Sequence, residues 1–127
     1  MEVLIEAVLE QHDRVAFQCA YGSAWAHWRG ESTPEVGIRE VELEFPSGVL
    51  RWTESAGPEV SRTKIRQEGE LLVLAGLVER IADDGVIDFR FGPDIILLDS
   101  VPQAENLSAG MSVEFWFDEL ELYPYVI

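Results

Sequence analysis

Cysteine is almost absent from this chain. Cys19 stands alone, so no intramolecular disulfide is available, and one unpaired thiol suits a reducing compartment. The first residues, Met1 to Glu6, carry no basic stretch, and the longest apolar run, Leu71 to Val78, is far too short to cross a bilayer. No signal peptide and no membrane span are expected, and cytoplasmic residence is the default. Lysine is as scarce as cysteine. Lys64 is the only one, and nine Lys and Arg residues face 24 Asp and Glu, for a net charge of −15. A field of that sign repels nucleic-acid phosphate and anionic lipid and favours a basic partner.

The familiar chemical motifs are missing too. With two histidines and one cysteine the chain has no C-x-x-C and no H-E-x-x-H. His12 is read as a surface histidine and His27 as a partly buried, hydrogen-bonded one. Asp83-Asp84 lacks the further oxygens of a calcium loop, since Val86 and Ile87 occupy their positions. Tyr21-Gly22-Ser23-Ala24-Trp25 lacks the Gly-x-Ser-x-Gly elbow, and no phosphate-binding glycine loop occurs. Cys19 falls on an apolar face, whereas a reactive thiolate needs a cationic, accessible setting. No metal, no cofactor and no enzyme activity are predicted.

What is present is β-patterning. Val3, Ile5 and Ala7 alternate with Leu4, Glu6 and Val8; Val15, Phe17, Cys19 and Tyr21 form one apolar face; Val41, Leu43 and Phe45 alternate with Glu40, Glu42 and Glu44. Pro46-Ser47-Gly48 predicts a turn that folds Val49 to Trp52 back on that strand as a hairpin. Leu71 to Ile81 reads as a long strand bulged or bent at Gly76, followed by an Asp83-Asp84-Gly85 hairpin turn and a strand from Val86 to Phe91. Ile95 to Leu98 reads as a short buried run. Val113 to Phe117 and Leu120 to Tyr123 read as a closing hairpin.

The two halves resemble each other. Val3, Leu4 and Val8 recur as Val73, Leu74 and Val78, and Gly22 as Gly92. Val41 to Phe45 lines up with Val113 to Phe117, and Leu50 with Leu122, after the spacing slips by two. The expected fold is therefore all-β: two repeated small halves, barrel-like or sandwich-like, packed as one pseudo-symmetric unit. Residues 1–54 form the first repeat, 55–69 a linker and 70–127 the second; a helix from Val60 to Glu68 is an alternative for part of the linker. A bent first strand, a hairpin, a short third strand and a closing hairpin are similar in outline to an OB-like or SH3-like barrel. That likeness is one of fold alone.

The functional expectation is a non-catalytic, acidic protein-binding module, for which an immunity-type inhibitor of a basic partner is one concrete form. Its candidate contacts are Glu40, Glu42 and Glu44, with Asp118, Glu119 and Glu121, and Trp116 as an anchor on an otherwise polar face. One alternative is a single-strand nucleic-acid binder of OB type, which the charge opposes. The other is a small-molecule binder with a pocket between the halves around Trp25, His27 and Trp28. The apolar tail from Tyr123 to Ile127 also suggests docking on the same chain or in a homodimer.

Overall fold

The structure, a computed structural model, describes residues 1–9, 13–55 and 63–125. His12, the Gly57-Pro58 part of the predicted linker, and Val126 and Ile127 lie outside the described residues. The all-β expectation holds. Eleven strands run β1 (Glu2–Val8), β2 (Arg14–Cys19), β3 (Gly22–Trp28), β4 (Gly37–Glu44), β5 (Arg51–Glu54), β6 (Lys64–Glu68), β7 (Leu71–Ile81), β8 (Ile87–Phe91), β9 (Asp94–Leu98), β10 (Ser112–Phe117) and β11 (Glu121–Pro124). Residues Ala104–Asn106 make one short 3-10 turn. Lys64 to Glu68 is strand, so the described part of the alternative linker helix is not helical.

Five strands close a small barrel. β1, β2 and β3 form an antiparallel meander. β4 pairs with the other side of β1, β11 pairs with β4, and a parallel match of β11 to β3 closes the ring. Closure removes the exposed edges that an open sheet of these strands would carry. The alternation read from sequence decides which side chains go inside. Val3 and Ile5 of β1, Val15 and Phe17 of β2, Val41 of β4 and Leu122 of β11 are fully buried, while Glu2, Glu6, Glu40, Glu42 and Glu44 point out. On β3 the inward residues are Ala24, Ala26 and Trp28.

The remaining strands form an open sheet in the order β9, β8, β7, β10, β5; β6 pairs with the first half of β7, on the edge opposite β10 that β8 takes further along. β7 is apolar on both faces, as a central strand covered from both sides must be. Phe89, Phe91, Phe115 and Phe117 fill the interior of this sheet, with Phe89 and Phe115 packed edge to face at 4.8 Å between ring centroids. Their cluster is continuous with the barrel interior. β3 meets β6 through one parallel bridge, Gly22 to Ile65.

Of the three expected hairpins, the one turning at Asp83-Asp84-Gly85 forms, with β7 and β8 antiparallel, and the other two are absent. β4 turns at Pro46-Ser47 but pairs with β1 and β11, and the strand after the turn, β5, pairs with β10. β10 lies between β7 and β5, and β11 leaves it for the barrel. The chain thus exchanges its strands: the last one closes the barrel built by the first four, and the middle one edges the other sheet. Short loops suited both local pairings, but burial of Leu122 between β3 and β4 needs the longer route.

The two-halves repeat is not confirmed. Both units have a three-strand meander with a fourth strand beside the first, yet only the first closes. The register also disagrees with the sequence match. The β1 irregularity lies between Ile5 and Ala7, and that in β7 between Val78 and Arg80, whereas the match of Val3 to Val73 carries Ile5 onto Ala75. The expected bulge at Gly76 is therefore displaced. Gly76 serves a close approach instead: a Cβ there would press on the Arg90 carbonyl and come within 2.7 Å of the Phe89 ring.

Candidate functional site

A cleft of about 610 Å³ lies between β4 of the barrel and β9 of the open sheet. Its walls are Val41 to Phe45 on one side and Asp94 to Asp99 on the other, with Met1, Gly48, Val86 and Tyr125 completing the lining. Glu42 and Glu44 stand on the barrel wall, Asp94 and Asp99 at the two ends of β9, and all four are exposed. None of the four has an ion-pair partner among the described residues, whereas Glu40 lies 3.5 Å from the N-terminal amine. The Tyr125 hydroxyl sits among these acids. Partial desolvation, then the charges of Glu42, Asp94 and Glu40, raise its pKa above that of an ordinary phenol.

The predicted acidic row on β4 is thus exposed as expected. Asp118 and Glu119 are also exposed, at the turn before β11, with Ser47 donating a 3.0 Å hydrogen bond to Glu119. Glu121 differs. It is opposite Glu44 across the β4–β11 pair and parallel to His27, and Arg29 Nε lies 2.5 Å from its carboxylate. Arg29 also grips Asp13, and Asp13 stands 3.5 Å from His27 Nδ1. Glu121 is therefore neutralised inside the barrel's outer face and is not a free carboxylate for a partner.

Burial opposes ionisation of Asp13, but His27 and Arg29 outweigh it and hold its carboxyl below the usual range. Such a group contributes stability above the unfolded carboxyl value and loses it as pH falls through the lower folded value. We expect Asp13→Asn to cost at most about 1 kcal/mol at neutral pH, because the pair is partly exposed. The difference from the parent protein should shrink on acidification, as pH falls through the ordinary Asp value and on through the lowered folded one. Urea unfolding at a series of pH values measures it; a cost that grows on acidification contradicts the assignment.

Trp116 is not an exposed anchor. It is only 7% accessible, because the guanidinium of Arg51 lies over its ring at 4.7 Å and that of Arg66 at 5.9 Å. The row Arg66, Val73, Trp116, Arg51 runs across four strands on one face, and Arg66 is itself held by Glu114 and Glu68. The indole fills this stack as packing.

The predicted pocket around Trp25, His27 and Trp28 does not form either. Strand geometry sends Trp25 and His27 outward and Trp28 into the barrel, where its Nε1 donates a 3.0 Å bond to the Ser32 carbonyl. Trp25 lies under the Arg14 guanidinium at 4.6 Å, beside a depression of about 30 Å³, room for little more than one water. Cys19 is partly buried against the core. Among the described residues no three His, Cys, Asp or Glu side chains are grouped to hold a metal ion. No described helix is long and apolar enough to cross a membrane.

Sequence reasoning missed the β9 wall. Ile95 to Leu98 is not a uniformly buried run: Leu98 is buried, while Ile95 is 40% and Leu97 67% exposed. The available signal was the pair of aspartates, Asp94 and Asp99, that bracket four apolar residues without alternation. No protein-family model, curated protein or solved structure matches this chain.

Proposed function

We propose that this protein is a non-catalytic binding module of the cytoplasm that engages a basic protein through the acidic face of its barrel. The observation that carries the reading is the placement of Glu42 and Glu44, exposed, without cationic partners in the described structure, and at the lip of the cleft between β4 and β9. Asp94 and Asp99 add charge of the same sign on the facing wall, in a chain whose net charge is −15. Such a surface steers a cationic partner to the cleft and rejects acidic ones. An immunity-type inhibitor that covers the basic active surface of a toxin is one form this takes.

The distribution of cations disfavours the nucleic-acid alternative. Arg14, Arg29, Arg39, Arg66 and Arg90 each lie against a carboxylate, so they are spent on internal pairs and do not line a groove.

Capture of partners from the source cell's lysate at low and high salt tests the proposal. A basic protein should be retained by the parent chain at low salt. Its affinity should fall by about tenfold or more with Glu42→Lys/Glu44→Lys, in the range measured for close interfacial charges. Retention that ignores both salt and these substitutions sinks the reading.

A further inference from the structure

The cleft between β4 and β9 has the construction of a vacant strand position. Its two walls are strand edges. On β4, the residues Gly37 to Glu40 pair with β1, and Met1 makes the last bonds of that pairing, through both N–H and C=O of Val41. β4 continues past the end of β1. Antiparallel pairing alternates the direction of backbone groups, so Leu43 directs its N–H and C=O to the side where β1 has ended. The other neighbour confirms the direction. Leu122, opposite Leu43, uses its carbonyl to bond Arg29 on the β3 side, so it does not bond Leu43.

β9 forms the other wall and, among the described residues, pairs only with β8. Val78 exchanges its backbone bonds with Gly110 and Met111. Phe89, opposite Val78, therefore turns its groups toward Ile96, and alternation leaves those of Ile95 and Leu97 on the open edge. An edge strand of this kind is a template for another chain.

The floor between the edges is unfinished core. Met1, Leu43, Phe45 and Ile96 pack against the buried cluster but remain partly exposed in the cleft. The rim carries Glu42 and Glu44. A strand inserted here would therefore place one set of alternate side chains on an apolar floor and the other beside carboxylates, with Leu97 available to the aliphatic stems of lysine or arginine.

We propose that the basic partner binds by β-strand addition: an extended segment with alternating apolar and cationic residues enters the slot and pairs with Ile95 and Leu97 of β9 and with Leu43 of β4. The inference rests on the acidic-face reading above and deepens it by naming the binding mode. A second copy of this chain is the poorer occupant, since it would bring a further charge of −15 to a carboxylate rim.

The probe is a synthetic octapeptide of alternating lysine and valine, compared with the same peptide N-methylated along its backbone, which keeps the charge and loses the donors. The full chain should bind the first, and hydrogen exchange at the amides of Leu43, Ile95 and Leu97 should slow on saturation. The N-methylated peptide should bind about tenfold more weakly or worse, and Glu42→Lys/Glu44→Lys should weaken the first peptide by a similar factor. Equal binding of both peptides, without slowed exchange at the three amides, overturns strand addition while leaving the acidic-face reading in place. Absence of any binding, or binding that ignores Glu42→Lys/Glu44→Lys, overturns both. Concentration-dependent protection of the same amides in the protein alone would assign the slot to a second copy and overturn the proposal.

Discussion

Gly22→Ala should destabilise the protein by about 3–5 kcal/mol, the sum of positive-φ strain and overpacking against immovable backbone. Gly22 has φ +139°, a conformation L side chains rarely adopt. It is also where β3 touches β6: the Ile65 N–H donates a 3.0 Å bond to the Tyr21 carbonyl, and a Cβ at Gly22 would run into the Ile65 carbonyl oxygen. The Ile65 Cγ2 methyl would also lie 3.2 Å from that Cβ. Gly85→Ala is the matched control. Gly85 has φ +88°, but a Cβ there meets nothing within 4 Å, so only the strain remains, about 1–2 kcal/mol. In thermal unfolding, Gly22→Ala should lower Tm by about 10–20 °C, and Gly85→Ala by less than half as much. Equal losses would contradict the contact of the two units at this bridge.

The contrast explains what could be read from the sequence. Gly22 and Gly85 both appear there as turn glycines beside strands; nothing local separates the one pressed against Ile65 from the one in open space. The same limit recurs at larger scale. Alternation at Val41, Leu43 and Phe45 assigned inside and outside to β4 correctly, because burial on one sheet face is a property of the strand itself. The partners of β4 were not legible. Pro46-Ser47-Gly48 is good turn chemistry, and a turn between two strands is read as a hairpin unless something distant outcompetes it. Here Leu122, some eighty residues on, does so. Trp116 shows the converse error: the strand face it shares with Glu114 suggested exposure, yet Arg51 and Arg66 arrive from β5 and β6 to cover it. The acidic row was legible because charge belongs to the residues. The slot beside it was not, because a free edge is defined by which strands do not arrive.

That exchange of strands has an energetic consequence. Phe17→Ala in the barrel and Phe115→Ala in the open sheet should each cost about 3–5 kcal/mol, as fully buried phenylalanines do. Each loss is a large fraction of the roughly 5–15 kcal/mol that holds a domain together. Both should weaken the whole molecule equally. The barrel cannot close without β11, which follows β10 of the open sheet after a short loop, and β5 leaves the barrel's β4 to edge that sheet. Unfolding either unit pulls a strand from the other and opens their shared core. Urea unfolding followed by the fluorescence of Trp28, inside the barrel, and of Trp116, on the open sheet, in variants each retaining only that one of the four tryptophans, should give coincident midpoints. Phe115→Ala should lower both midpoints together, and Phe17→Ala likewise. If Phe115→Ala moved the Trp116 transition and left that of Trp28 in place, the units would fold separately. The β4–β9 slot would then be a gap between two independent bodies, too variable in width to hold a strand by both edges.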